Sequence, residues 1–168
     1  KPLILRGARQ VGKTTIVKQF SHGFDAFIYL NLELKSNKNI FEKTDDIHKI
    51  INEIFIQFNI VDPSQKILIF IDEIQDVENF EAALRSLLLY ENLDIYCTGS
   101  NANLLSGDIA GHLSGRYIEI TVYSLSYVEF LQFHTLTDTE ASLNLFLKYG
   151  GLPYIKHLPL EDAIVFEY

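Results

Sequence analysis

The run Lys-Ile-Leu-Ile-Phe-Ile at 66–71 contains five consecutive apolar residues, and two carboxylates, Asp72 and Glu73, follow at once. A half-exposed strand alternates polar and apolar residues; one that does not alternate has to be covered on both faces. That requirement selects a sheet sandwiched between helices. Four more short apolar runs supply partner strands: Leu3–Leu5, Ala26–Leu30, Asp94–Thr98 and Tyr117–Tyr123. Between the runs lie stretches of helical period. Ile47, Ile50, Ile51, Ile54, Phe55 and Phe58 form one amphipathic stripe, and Phe80, Ala83, Leu84, Leu87 and Leu88 form another. Alternating strands and helices predict a three-layer α/β domain with a parallel sheet and right-handed crossovers.

Polar breakers divide the remainder. Lys-Ser-Asn-Lys-Asn at 35–39 and Val-Asp-Pro-Ser-Gln-Lys at 61–66 read as surface loops. Residues 126–149 read as helical, with Tyr127, Phe130, Leu131 and His134 on one face, and Tyr-Gly-Gly-Leu-Pro at 149–153 sets off a short tail. The expected organisation is an α/β core over 1–124 and a helical extension over 125–168, the latter opening a lid or linker. The chain also reads as a piece of a longer protein. It begins without Met one strand before a glycine loop, and it ends inside a helical pattern, Leu-Glu-Asp-Ala-Ile-Val-Phe-Glu-Tyr.

Charge and cysteine content narrow the functional classes. A net charge of −8 argues against a broad basic face for nucleic acid or anionic membrane, and favours protein partners. A local basic patch for nucleic acid stays open. The single cysteine, Cys97, has no internal partner, which suits a reducing, cytoplasmic setting. No apolar stretch approaches the roughly 18 residues of a membrane span, and no signal peptide opens the chain. The five histidines (22, 48, 112, 134 and 157) show no metal-ligand spacing.

The chemistry begins at Gly7. Gly-x-x-x-x-Gly-Lys-[Ser/Thr] is met by Gly7, Gly12, Lys13 and Thr14, after an apolar strand and before a helix. Glycines let the backbone wrap closely, so that several N–H groups point inward at phosphate oxygens. The helix N-terminus adds its positive end. The nucleotide segment is therefore Gly7, Ala8, Arg9, Gln10, Val11, Gly12, Lys13, Thr14 and Thr15. Lys13 would reach the β- and γ-phosphates, and the Thr14 hydroxyl would join the Mg²⁺ shell. A plain strand-to-helix turn would need the glycines but not the lysine and threonine after them.

Asp72 ends a buried strand, where ligands bind in open α/β sheets, and would hold Mg²⁺ largely through its waters. Glu73 could polarise a water for attack on the γ-phosphate. A nucleotide kinase has no need of a second acid beside its magnesium aspartate, so the pair points to ATP hydrolysis. A third strand ends in Thr-Gly-Ser-Asn at 98–101; if it lies between the first strand and the Asp72 strand, Ser100 or Asn101 would face the γ-phosphate. Arg116, between Gly115 and a strand, could stabilise transition-state charge in its own chain or in a neighbour's, which would imply a homo-oligomer.

Six segments in this order, G-A-R-Q-V-G-K-T-T, F-I-D-E-I-Q, T-G-S-N-A-N-L-L-S, L-S-G-R-Y-I-E-I, Y-S-L-S-Y-V-E-F-L and Y-G-G-L-P, resemble a prokaryotic family of AAA+-superfamily ATPases. The resemblance implies a five-stranded parallel sheet of order 5-1-4-3-2 and an ATPase module that precedes a second domain of uncharacterised function, one that has been likened to restriction-type nucleases. It implies Gly7 to Thr14 as the nucleotide loop, Asp72 and Glu73 as the metal and water acids, Ser100 as the first sensor, and Arg116 at the family's Gly-Arg position. The chain departs from the family pattern at Ala8 and Ser124, where the family has Pro. After Gly151 the only Lys or Arg is Lys156, so no second-sensor arginine is found.

Two functions of different class follow. One is Mg²⁺-dependent ATP hydrolysis by Glu73, Lys13, Arg116 and Ser100, coupled to a conformational change in a C-terminal effector region. The alternative is a slow or non-hydrolysing nucleotide switch that recruits a protein partner.

Overall fold

A computed structural model describes residues 1–44, 46–62, 64–77, 80–99, 117–159 and 165. Five strands, β1 (Leu3–Arg6), β2 (Ala26–Asn31), β3 (Ile67–Asp72), β4 (Leu93–Thr98) and β5 (Ile118–Thr121), form one sheet in the order β2-β3-β4-β1-β5. Every pairing is parallel. Read from the other edge this is the order 5-1-4-3-2, so the fold is the expected P-loop type of α/β sheet. β4 lies between β1 and β3.

The chain divides into two compact units. One comprises Lys1–Arg6 and Lys13–Thr121, the other Gly7–Gly12 and Val122–Tyr168. In the first unit the helices are α1 (Lys13–Phe20), α2 (Lys35–Glu42), α3 (Ile47–Gln57) and α4 (Phe80–Leu87). Strand β3 explains the layering. Ile67, Ile69 and Ile71 face one side and join Ile40 and Phe41 of α2, Ile50, Ile51 and Ile54 of α3, and Leu84 and Leu87 of α4 in a single core. Leu68, Phe70 and Asp72 project to the other side by the two-residue period of a strand. On that side Phe20 of α1 stacks on Tyr96 of β4 at 5.6 Å. All five residues Ile67–Ile71 are 0% exposed, as the unbroken apolar run requires.

Three expectations are corrected. The 35–39 segment is not a loop but the first half of α2. Its serine and two asparagines are weak helix formers, but tertiary contacts override propensity. Asn37 is buried, donates to the Asn31 carbonyl and accepts from Gln57. The 126–149 segment is two helices, α5 (Tyr127–His134) and α6 (Glu140–Tyr149). Thr135 closes α5 in a left-handed conformation (φ 57°), and the Thr139 side chain caps α6. Finally, β5 is not covered on both faces: its four residues are exposed at the sheet edge, and Glu119 pairs there with Arg6 at 2.7 Å.

Within the second unit, Ser126 and Glu129 cap α5 reciprocally. Phe130 is fully buried beside Phe146 and His134. The Leu125 N–H donates to the Gly151 carbonyl at 2.7 Å, and a Cβ on Gly151 would collide with the Leu125 backbone. His134 Nε2 is buried and has no hydrogen-bond partner among the described residues. Burial, and secondarily the charge of Lys156, hold its imidazole below the usual histidine range.

Two outcomes are expected. Gly151→Ala should lower stability by about 1–3 kcal/mol, read from denaturant unfolding, because backbone atoms of Leu125 have nowhere to yield. Because the folded pKa of His134 is depressed, its stabilising contribution is complete above the unfolded value of about 6.5 and is lost as pH falls through the folded value. Acidification from about pH 7.5 to about pH 5 should therefore lower the melting temperature more in the wild type than in His134→Leu.

Candidate functional site

Asp72 is the last residue of β3, delivered to the C-terminal edge of the sheet where a parallel α/β fold exposes its strand ends. Its carboxylate is partly buried and, among the described residues, is held by three hydroxyls from three different elements. Thr14, in the first turn of α1, donates to Oδ2 at 3.1 Å. Tyr29 of β2 donates to the same oxygen at 2.8 Å. Thr98, the fully buried last residue of β4, donates to Oδ1. Burial, and then the bond to Asp72, push the Tyr29 phenol well above its ordinary pKa, so it remains a donor.

Glu73 is held differently. Its backbone is left-handed (φ 59°, ψ 51°), a conformation that costs a non-glycine residue about 1–2 kcal/mol. The turn redirects the chain from the strand into the short 3-10 segment Ile74–Asp76. The Glu73 N–H donates to Thr98 Oγ1 at 3.3 Å, so one threonine side chain ties down both adjacent acids. The Glu73 carboxylate accepts from the Gln75 amide at 2.6 Å. Strain at such a position is the kind of outlier that clusters at functional sites.

The glycine loop Gly7–Gly12 belongs to the second unit. Gly7 (φ 146°) is buried, and a Cβ there would fall on the Val122 carbonyl oxygen. Gly12 (φ 96°) is required by its backbone angle, for its nearest neighbour would be Pro153 Cγ at 3.9 Å. Gln10 is also left-handed (φ 64°). Val11 turns inward at 4% exposure, whereas Ala8, Arg9 and Gln10 are exposed. Lys13, Thr14 and Thr15 open α1 in the first unit, with Thr15 exposed.

Of the residues singled out in the sequence, the structure therefore brings Thr14, Asp72 and Glu73 to one end of the sheet. Ser100, Asn101 and Arg116 lie outside the described residues. Tyr29, Thr98 and Gln75 join the acids although nothing in the sequence points to Tyr29. A signal existed for Thr98, a hydroxyl closing an apolar strand, and for Gln75, two residues beyond Glu73. The Thr14 hydroxyl and Asp72 carboxylate suit Mg²⁺, which takes one or two protein oxygens and leaves its other positions to water and phosphate.

The family model described as "AAA domain" matches residues 1–131. An uncharacterized protein of Haemophilus influenzae is 34% identical over 96% of this chain and 42% of its own length. An uncharacterized protein of Methanocaldococcus jannaschii, MJ1544, is 33% identical over 95% of this chain and 37% of its own. The chain thus spans less than half the length of these relatives. The structure of C. elegans PCH-2 superimposes with a TM-score of 0.53 at 17% identity, over 88% of this chain and 40% of that one, a likeness of fold. A strand–glycine-loop–helix, a buried strand ending in paired acids and the sequence match lead to one assignment: the chain belongs to the AAA domain family, whose function is of the nucleotide-binding, ATPase type.

Proposed function

We propose that this chain binds Mg²⁺-ATP at the glycine loop and hydrolyses it, and that turnover drives a conformational change in a C-terminal effector region. The observation that carries the reading is the Thr14–Asp72 pair: a hydroxyl from the helix that follows the loop meets the carboxylate that ends the buried strand. In this reading, backbone N–H groups of residues 7–15 and the Lys13 ammonium bind the phosphates. Thr14 and Asp72 hold Mg²⁺, which when bound neutralises charge on the β- and γ-phosphates. Glu73 accepts the proton of the attacking water. Ser100 and Arg116 keep the roles implied by resemblance, sensing the γ-phosphate and countering its charge. An Arg116 acting on a neighbour's nucleotide would require a homo-oligomer. The effector is assigned to sequence outside this chain because the relatives are more than twice as long.

A second reading, a slow nucleotide switch that recruits a protein partner, draws support from Gln75. Its amide occupies one oxygen of Glu73 at 2.6 Å and so competes with a water for that base.

One set of measurements separates the two. Lys13→Ala should weaken ATP binding by about 10–100-fold, the worth of a charge-assisted hydrogen bond. Glu73→Gln should leave ATP affinity near wild type and lower turnover by about 10²–10⁴-fold. Wild-type turnover indistinguishable from both variants would remove the hydrolase reading. Tight binding with turnover slower than about one per hour would establish the switch, since ordinary enzymes run at about 1–10³ s⁻¹.

A further inference from the structure

Tyr29 lies in none of the motifs above, yet it supplies the shorter of the two hydrogen bonds to Asp72 Oδ2, 2.8 Å against 3.1 Å from Thr14. The β2–β3 register explains how it gets there. Asn31 lies opposite Asp72 and Tyr29 lies opposite Phe70, so Tyr29 sits on the same face as Asp72 and diagonal to it. Diagonal neighbours on a sheet are about 7–8 Å apart, a gap that long side chains bridge and a serine or threonine does not. The ring is fixed on its way across. It stacks on Phe70 with centroids 5.4 Å apart and planes 16° from parallel, and the Lys18 ammonium of α1 lies 4.8 Å from its centroid.

We infer that Tyr29 is a positioning residue for the metal-binding carboxylate: its hydroxyl holds Asp72 in the orientation that serves Mg²⁺. The inference rests on the Mg²⁺-ATP reading above and extends it to a strand that the motifs do not reach. Of the three hydroxyls on Asp72, the one from Thr14 is itself assigned to the metal shell. The Thr98 hydroxyl also accepts the Glu73 N–H, so it serves both acids. Among the described residues, Tyr29 is left as the donor dedicated to Asp72. Partners of this kind set the direction of a ligand's lone pairs, and their loss commonly costs 10–100-fold in metal affinity.

The test is the gain in ATP affinity on adding Mg²⁺, measured by calorimetry with ATP in EDTA and with ATP in excess Mg²⁺. Tyr29→Phe keeps the ring and its stacking and removes only the hydroxyl. It should reduce the Mg²⁺-dependent gain about tenfold or more while affinity in EDTA stays within about twofold. Phe70→Leu is the packing control. It loosens the same stack without touching a donor, so it should lower the melting temperature and keep the full gain. A Tyr29→Phe protein with an undiminished gain overturns the proposal alone, as does a Phe70→Leu protein that loses the gain equally. A wild-type chain that binds ATP equally with and without Mg²⁺ overturns the metal reading and this proposal with it.

Discussion

The Asp72 carboxylate ends a strand whose five preceding residues are sealed from water, so the protein has to supply much of its solvation. An ionised group brought to the rim of a core without hydrogen bonds would cost several kcal/mol. Three hydroxyls meet that demand, and the positions from which they come account for much of the first unit's design. Two belong to the strands on either side of β3, which requires β2 and β4 to run parallel to it and in the observed register. The third comes from α1, which must therefore start at the same edge of the sheet. Covering β3 on both faces and solvating its charged end are two aspects of a single constraint.

Asp72 and Glu73 are neighbours in sequence with opposite treatments. The first sits on regular strand backbone under several donors. The second sits on left-handed backbone, which glycine or asparagine would adopt at lower cost. A glutamate kept there forgoes local stability, and the left-handed turn gives its side chain a course that a continuing strand would not. The Thr98 side chain couples the two, since its hydroxyl donates to one acid and accepts from the backbone of the other.

How much of this could be read from the chain depends on the range of each signal. Apolar runs located all five strands; in β3 burial on two faces left that mark on composition, whereas the run at β5 marks an exposed edge strand. Strand order has no such mark; it followed from resemblance of the ordered motifs. The helix over 35–42 escaped detection because its stability comes from contacts that Asn37 and Ile40 make with distant residues. The interruption between α5 and α6 was written in Thr135 and Thr139, but as capping signals inside a long apolar period they were easily overridden. At the site, Thr14, Asp72 and Glu73 belong to motifs of fixed spacing. Tyr29 becomes visible only through register, since its partner lies 43 positions along the chain.

The position of β1 in the sheet has a kinetic consequence. This strand is made first, but its two neighbours, β4 and β5, are the last strands to be made. While the polypeptide is being synthesised, β2 can join β3 and then β4, extending the sheet in chain order. β1 must wait unpaired, with its apolar Leu3, Ile4 and Leu5, until the chain has grown past Thr98. Closing so long a loop is slow, and it comes late. The strand that leads into the glycine loop is thereby the last inner piece inserted into the sheet, and a chain interrupted before β4 leaves β1 without a sheet partner. Among the inner strands, the first to be made is thus the last to be placed.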